Sequence, residues 1–291
     1  MTNREKFIKT LKCEPVGGQV PTFELVFFLT MEKFGKVHPS HRFYEQWNQM
    51  SLSEKKLHMN EMAQLYVDTA KAYGHSAIFI HPNPGDLENT QWLLELIREK
   101  TGDEYYIMMH GDPTWAIPDG EGMMEFSMRM YEDAEGLNAE SAARVEQSLE
   151  FITEYRKMGY YTIKHTDGNI MPIVKQMADC GPDAIHSLDP QGGVSIPEVR
   201  KIIGNDIALV GNVNCGLLQT GTDEECRQDV LRALREGMAN GRGYIFSTSN
   251  CVYTGLALER YEMMMDLWKK YGNYDHYEEN FGEKNTNINE A

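Results

Sequence analysis

Six short clusters in the 291-residue chain carry groups able to bind a metal or move a proton. They are His81-Pro-Asn, His110-Gly-Asp112, His165-Thr-Asp167-Gly, Asp189-Pro, Asn212-Val-Asn214-Cys215 and Ser247-Thr-Ser-Asn250-Cys251. Each follows a short apolar run of strand type. Asp189 lies 26 positions before Cys215, and Cys215 lies 36 before Cys251. Those are spacings of one strand-plus-helix unit, so the three groups come from successive strands of one rim. Neighbouring strands stand about 4.8 Å apart, within reach of one shared ion. Zinc takes thiolate, imidazole and carboxylate ligands and keeps a position open where it is catalytic. Two thiolates and a carboxylate suit it better than magnesium. His165 and Asp167, one strand earlier, are able to add or replace a ligand.

Less specific roles compete at each position. A lone buried cysteine is usually a small apolar residue, and Cys13, Cys180 and Cys226 are read that way or as exposed. Cys215 and Cys251 differ because both closely follow a strand and neighbour asparagine. His165 could be a structural histidine, and Asp189-Pro could simply start a turn. The 18 methionines read as core or gap fillers, with Met123, Met124, Met128 and Met130 as candidates to line an apolar pocket.

The elements that must position these clusters alternate along the chain. Strands are expected at 22–28, 76–80, 105–109, 161–164, 184–188, 207–210 and 243–246. Helices are expected at 51–73, 89–100, 122–133, 139–158, near 172–178, after Ser195, after Thr222 and at 256–271. Ser51 with Glu54, Ser195 with Glu198 and Thr222 with Glu225 carry the spacing of a capping box. Val230, Leu231, Leu234 and Met238 fall on one helical face. Alternation of this kind implies a parallel sheet. The expected fold class is α/β, a (β/α)8 TIM-type barrel. Only seven strands are legible, so one unit is reduced or missing, or a strand hides in 111–160. Residues 1–272 read as one barrel domain and 273–291 as a polar, mobile tail. In a parallel α/β barrel the carboxyl ends of the strands converge on one mouth, where the chemistry sits.

Composition narrows the classes. Hydrophobic residues make up 41% and charged residues 25%, a globular balance. The formal charge of −16 argues against nucleic acid and anionic membrane surfaces as partners. No apolar run approaches the roughly 18–20 residues that span a bilayer, and the polar start MTNREKFIKTLKCEP has no apolar signal core. Five cysteines without a CxxC do not suggest a disulfide framework, so a reducing cytoplasm is the expected location. Oligomeric state, a homo-oligomer included, stays open.

At HTDGNI, GPDAIHSLDPQGG, VRKIIGNDIALVGNVNCGLLQTGTDEE and GYIFSTSNCVYTG the chain resembles the uroporphyrinogen decarboxylase superfamily, with a weaker likeness in TNREKFIKTLKCEPVGGQVP. That group includes decarboxylases and zinc-dependent methyltransferases that work with corrinoid proteins. The decarboxylases carry an arginine-rich loop after the first strand, where this chain reads FELVFFLTMEKFGK without arginine. The methyltransferases use zinc. In many, a His-x-Cys pair and a later Cys are the ligands; here the pair reads His165-Thr-Asp167, and Cys251 fits the last position. Asp189, Cys215 and Cys251 instead resemble the Asp, Cys, Cys order of O-demethylase methyltransferases. The resemblance therefore implies a zinc site of Asp189, Cys215 and Cys251, with His165 as a further ligand. It implies methyl transfer between a methoxylated compound or thiol and a corrinoid carried by a separate protein. Glu24 is a candidate proton donor or hydrogen-bonding group for the substrate, and His165, Asn212 and Asn214 are candidate catalytic or orienting groups. A decarboxylase-like lyase and a non-catalytic binding member are the alternatives.

Overall fold

The computed structural model describes residues 1–42, 45–111 and 118–282. It divides into two compact units, Met1–Met109 together with the chain from Ile163 onward, and His110–Thr162.

The larger unit is built on parallel strands. β1 (Ala77–Ile80) pairs with β2 (Tyr106–Met109). β3 (Ile163–His165), β4 (Ala184–His186), β5 (Ala208–Val213) and β6 (Tyr244–Thr248) form a second run in that order, all parallel. β4, β5 and β6 are buried at every position. That is why they read as near-continuous apolar runs rather than alternating ones. The segment around residue 22 joins the two runs. Thr22 bridges Phe246 in parallel, the Phe246 amide donates to the Pro21 carbonyl at 2.8 Å, and the Ser76 amide donates to the Thr22 carbonyl at 2.6 Å. Seven parallel segments thus lie in the order β2, β1, residues 21–22, β6, β5, β4, β3. This is the order of a (β/α) barrel, and among the described residues no strand joins β2 to β3.

The expected strand over 22–28 is only partly formed. It bridges at Thr22 and again at Phe27, opposite Val252. Between those bridges Glu24 points its carboxyl inward at β6, and a chain that turns a buried carboxyl into the core leaves the ladder there. The other expected strands are present, with ends shifted by a few residues.

Local chemistry sets the helices. Two of the three expected capping boxes are made in full. The Glu54 amide donates to Ser51 Oγ while the Ser51 amide donates to the Glu54 carboxylate, opening Leu52–Tyr73. Thr222 and Glu225 do the same for Asp223–Met238. Ser195 caps Ile196–Ile203 from one side only. Gly74 ends the first of these helices in the left-handed region, φ 70°, which glycine enters without steric cost. Val230, Leu231, Leu234 and Met238 are all buried. They belong to the main core with Leu209, Phe246 and Tyr261, while a second core gathers Met59, Met62, Leu93 and Ile97 under β1.

Two expectations change. The stretch after Asn273 is ordered as far as it is described: Tyr274–His276 is a 3-10 turn and Tyr277–Phe281 a helix. The Tyr274 amide donates to the Gly18 carbonyl, and Tyr271, Tyr274, Tyr277 and Phe281 pack on the main core. Aromatic residues spaced among the charges anchor a segment whose overall composition is polar. Residues 283–291 lie outside the described residues. Within 110–162 the described residues are helical, at Gly120–Glu132 and Ala134–Lys157. Asp112 and the rest of 112–117, part of the stretch 111–160 that is expected to hide a strand, also lie outside them. Nothing in Gly120–Glu132 is buried, and Met123, Met124, Met128 and Met130 are exposed, so these methionines are not core; Met124 and Met128 line an open hollow with Glu121 and Arg129.

Candidate functional site

Glu24 is the most heavily engaged ionisable group at the ends of the strands. It is buried, and burial pushes its pKa from the ordinary 4.5 up to about 8, against hydrogen bonds from Thr248 and Ser247 that pull the other way. Its Oε2 receives the Thr248 hydroxyl at 2.5 Å, the Thr248 amide at 3.3 Å and the Ser247 hydroxyl at 3.3 Å. Its Oε1 has no hydrogen-bond partner among the described residues. The Tyr261 hydroxyl stands beside the carboxyl and is bonded to His75 Nε2 at 3.0 Å.

Cys215 and Cys251 come together as expected from their places after β5 and β6. Cys215 opens the short helix Cys215–Thr220, and its thiol lies 3.7 Å from the Cys251 carbonyl oxygen. The Ser249 hydroxyl accepts the Cys215 amide, and the Tyr253 hydroxyl donates to the Cys215 carbonyl. Burial raises the Cys215 thiol to about 11 and Cys251 to about 12, and the nearby Glu24 charge adds to both. The remaining cysteines are free: Cys13 and Cys226 are buried, and Cys180 is exposed.

His165 ends β3 beside His186, which ends β4. Their Nδ1 atoms are 2.8 Å apart, so one ring donates and the other accepts. His186 is almost fully buried, and burial with the neighbouring His165 lowers it to about 3; it is neutral. His165 Nε2 faces Asp167 Oδ1 at 3.6 Å. Asp167 Oδ1 also receives the Asn250 side-chain amide at 3.1 Å and the Ser187 hydroxyl at 3.3 Å. Its charge is felt at Cys251, so β3 and β6 contribute to one neighbourhood.

Three expected site residues have other partners. Asn212 is fully buried; its amide donates to the Leu188 carbonyl at 2.8 Å, and its oxygen receives Arg232 at 3.1 Å. Asn214 caps the helix after it by accepting the Leu217 amide at 3.1 Å. Asp189 accepts the Gln191 amide at 3.0 Å and caps the turn Pro190–Gly192. The two asparagines hold the backbone on which Cys215 stands. Asn212, fully buried, bonds its own surroundings as a buried amide must, and Asn214 is half-buried. Among the described residues no three His, Cys, Asp or Glu side chains are gathered as a metal-ligand set. The donor chemistry at Cys215 and Cys251, where the Cys251 thiol feels the charges of Cys215, Glu24 and Asp167, is nonetheless of the kind zinc takes. His75, His186 and Tyr261 were not anticipated. His186 ends an apolar run in DAIHSLD as His165 does in IKH, and that shared position was the available signal.

A family model described as uroporphyrinogen decarboxylase matches residues 141–271. That stretch holds the four strongest sequence blocks and excludes the weaker N-terminal one. No curated protein matches the chain. A solved structure of a methyltransferase from Methanosarcina mazei is similar at a TM-score of 0.64 and 18% identity, covering 93% of this chain and 99% of that one. The chain thus has the α/β fold of that protein, and over residues 141–271 it matches the uroporphyrinogen decarboxylase family, the resemblance its strand-end motifs carry.

Proposed function

We propose that the protein is a zinc-dependent methyltransferase that moves a methyl group between a small methylated compound, a methoxylated molecule or a thiol, and the corrinoid of a separate protein. The observation that carries this reading is the meeting of Cys215 and Cys251 beside the buried, protonated Glu24 at the carboxyl ends of β5 and β6. The methyltransferase whose fold the chain shares supports it. Cys215 and Cys251 would hold the metal, with His165 and Asp189 as the nitrogen and oxygen donors of the same rim. Zinc, when bound, supplies a Lewis acid that stabilises negative charge on a leaving oxygen or a substrate thiolate.

The chain's own groups do the rest. Glu24 keeps a proton at neutral pH because burial disfavours its anion, and so it is a proton donor for the leaving group. Thr248 and Ser247 fix the carboxyl through Oε2. Asn212 and Asn214 keep the β5 end and Cys215 in place. No helix among the described residues is long and apolar enough to cross a membrane, and the five cysteines are free; both fit a cytoplasmic enzyme.

Metal content of protein purified without chelator tests the reading. About one zinc per chain, lost in Cys215→Ser and Cys251→Ser, supports it. His165→Ala and Asp189→Ala name the remaining ligands by which of them loosens the metal. Absence of zinc after reconstitution under reducing conditions sinks it. Transfer of a methyl group to free cob(I)alamin from a panel of methoxylated aromatics and methylated thiols is the activity assay that follows.

A further inference from the structure

Glu24, whose Oε1 has no hydrogen-bond partner among the described residues, lines a cavity of about 30 Å³ together with His38, His75, Tyr66, Thr69 and Ala70. A cavity of roughly 10–15 Å³ already admits a water when polar groups face it. Oε2 is engaged by the Thr248 hydroxyl and amide and the Ser247 hydroxyl, so Oε1 is the carboxyl oxygen left to take a further partner. A buried carboxyl oxygen needs one, and the cavity is where a water supplying it fits.

His38 is the cavity residue with a route outward. It is buried, it stands just before the 3-10 turn Pro39–His41, and its Nδ1 accepts from Ser40. The Ser40 amide lies at 3.3 Å and the Ser40 hydroxyl at 2.8 Å. With Nδ1 accepting, Nε2 carries the ring hydrogen. Ser40 is exposed to solvent. His75, the other cavity histidine, has no such exit, because its Nε2 is bonded to buried Tyr261.

We propose that Ser40, His38 and one cavity water form a proton path from solvent to Glu24. The inference rests on the reading of Glu24 as the proton donor. When Glu24 has given up its proton, the cavity water passes one to Oε1 and takes the His38 Nε2 hydrogen. His38 Nδ1 takes the Ser40 hydroxyl hydrogen, and Ser40 takes one from solvent. Each O–H or N–H bond broken is matched by one formed, and one proton moves inward. His38 is a positioning and relay residue here, not one that meets substrate.

The test is infrared spectroscopy of the substrate-free protein at pH 6.5. The carboxylic-acid C=O band present in wild type and missing in Glu24→Gln is assigned to Glu24. Its downshift after mixing into D2O reports proton exchange. Exchange in His38→Phe is expected to be slower by roughly tenfold or more, the scale on which one acid–base group counts. Ser40→Ala, which alters only an exposed hydroxyl, slows it in the same direction. Ala70→Val, which fills the cavity without touching His38, moves the band to higher frequency by displacing the water. Equal exchange in wild type and all three variants, or no Glu24 band in wild type, overturns the path. The readout needs neither metal nor substrate. Absent methyl transfer with the expected band and slowed exchange fails the functional reading alone, and observed transfer with unchanged exchange fails this one alone.

Discussion

The Thr248 hydroxyl stands 2.5 Å from Glu24 Oε2 and 2.6 Å from the Asn250 carbonyl oxygen. One hydroxyl hydrogen serves two acceptors, so this single side chain ties the first extended segment, the end of β6 and the loop that carries Cys251. A change in the charge of Glu24 is therefore felt in the loop that holds a candidate ligand.

The pH dependence of stability follows from Glu24. Its folded pKa, about 8, is raised above the ordinary 4.5. The folded state binds the proton more tightly, so the contribution is complete below 4.5 and lost as pH rises toward 8, at up to about 1.4 kcal/mol per pH unit. Urea midpoints of wild type and Glu24→Gln, measured from pH 5 to 8, should diverge with wild type losing ground as pH rises. Parallel curves would show that Glu24 is not buried as a neutral acid.

Acid acts through the buried histidines. His38, His75 and His186 are each lowered from 6.5 to about 3, chiefly by burial. A depressed folded pKa gives stability that is present above 6.5 and lost as pH falls toward 3. The melting temperature should drop steadily from pH 6.5 to 4, and His75→Gln should flatten that slope. An unchanged slope in the variant would remove His75 from the account.

Thiol reactivity separates the cysteines. Buried neutral thiols react slowly because the thiolate is the nucleophile. With iodoacetamide at pH 7.5, metal-free protein should label first at Cys180, the exposed one, with buried Cys215 and half-buried Cys251 slowed by their raised pKa. Mass spectrometry of peptides reads the order. Early labelling of Cys215 would contradict its placement.

Gly211 supports the same rim. It has φ 127°, and an added Cβ would lie 2.4 Å from the Ser187 carbonyl oxygen of the neighbouring strand. Gly211→Ala should cost about 1–3 kcal/mol, through overpacking and backbone strain together. A denaturation midpoint equal to that of wild type would mean that β4 and β5 are further apart.

Arg232 is the last test. It donates to the Asn212 side-chain and main-chain oxygens, to Asp229 at 2.8 Å and to Glu236 at 3.1 Å. Arg232→Ala leaves Asp229, which is buried, and two Asn212 acceptors without it, at a cost of about 2–4 kcal/mol. Zinc affinity should weaken with it if Asn212 holds the β5 end in place. Stability lost with metal binding unchanged would confine Arg232 to the fold.

The sequence by itself determined where the strands end and what stands there. Apolar runs fully buried in a parallel sheet are continuous, capping boxes mark helix starts, and both signals are local; they located Cys215 after β5, Cys251 after β6 and His165 at the end of β3. It also carried the family likeness, because the strand-end blocks are contiguous stretches of chain. Only the tertiary structure decided which polar groups face inward and who their partners are. Asn212 and Asn214 read as orienting amides in GNVNCG, and only the structure gives their partners, Arg232 twenty residues on and the Leu217 amide. Glu24 owes its raised pKa to burial by segments distant in sequence, its hydrogen-bond partners to β6, more than 220 residues away, and its cavity to His38 and the helix Leu52–Tyr73. The tail after Asn273 reads as polar, but its aromatic residues find a core made by other segments. Burial, hydrogen-bond partnership and cavities are properties of residue pairs distant in sequence, and no local pattern encodes them.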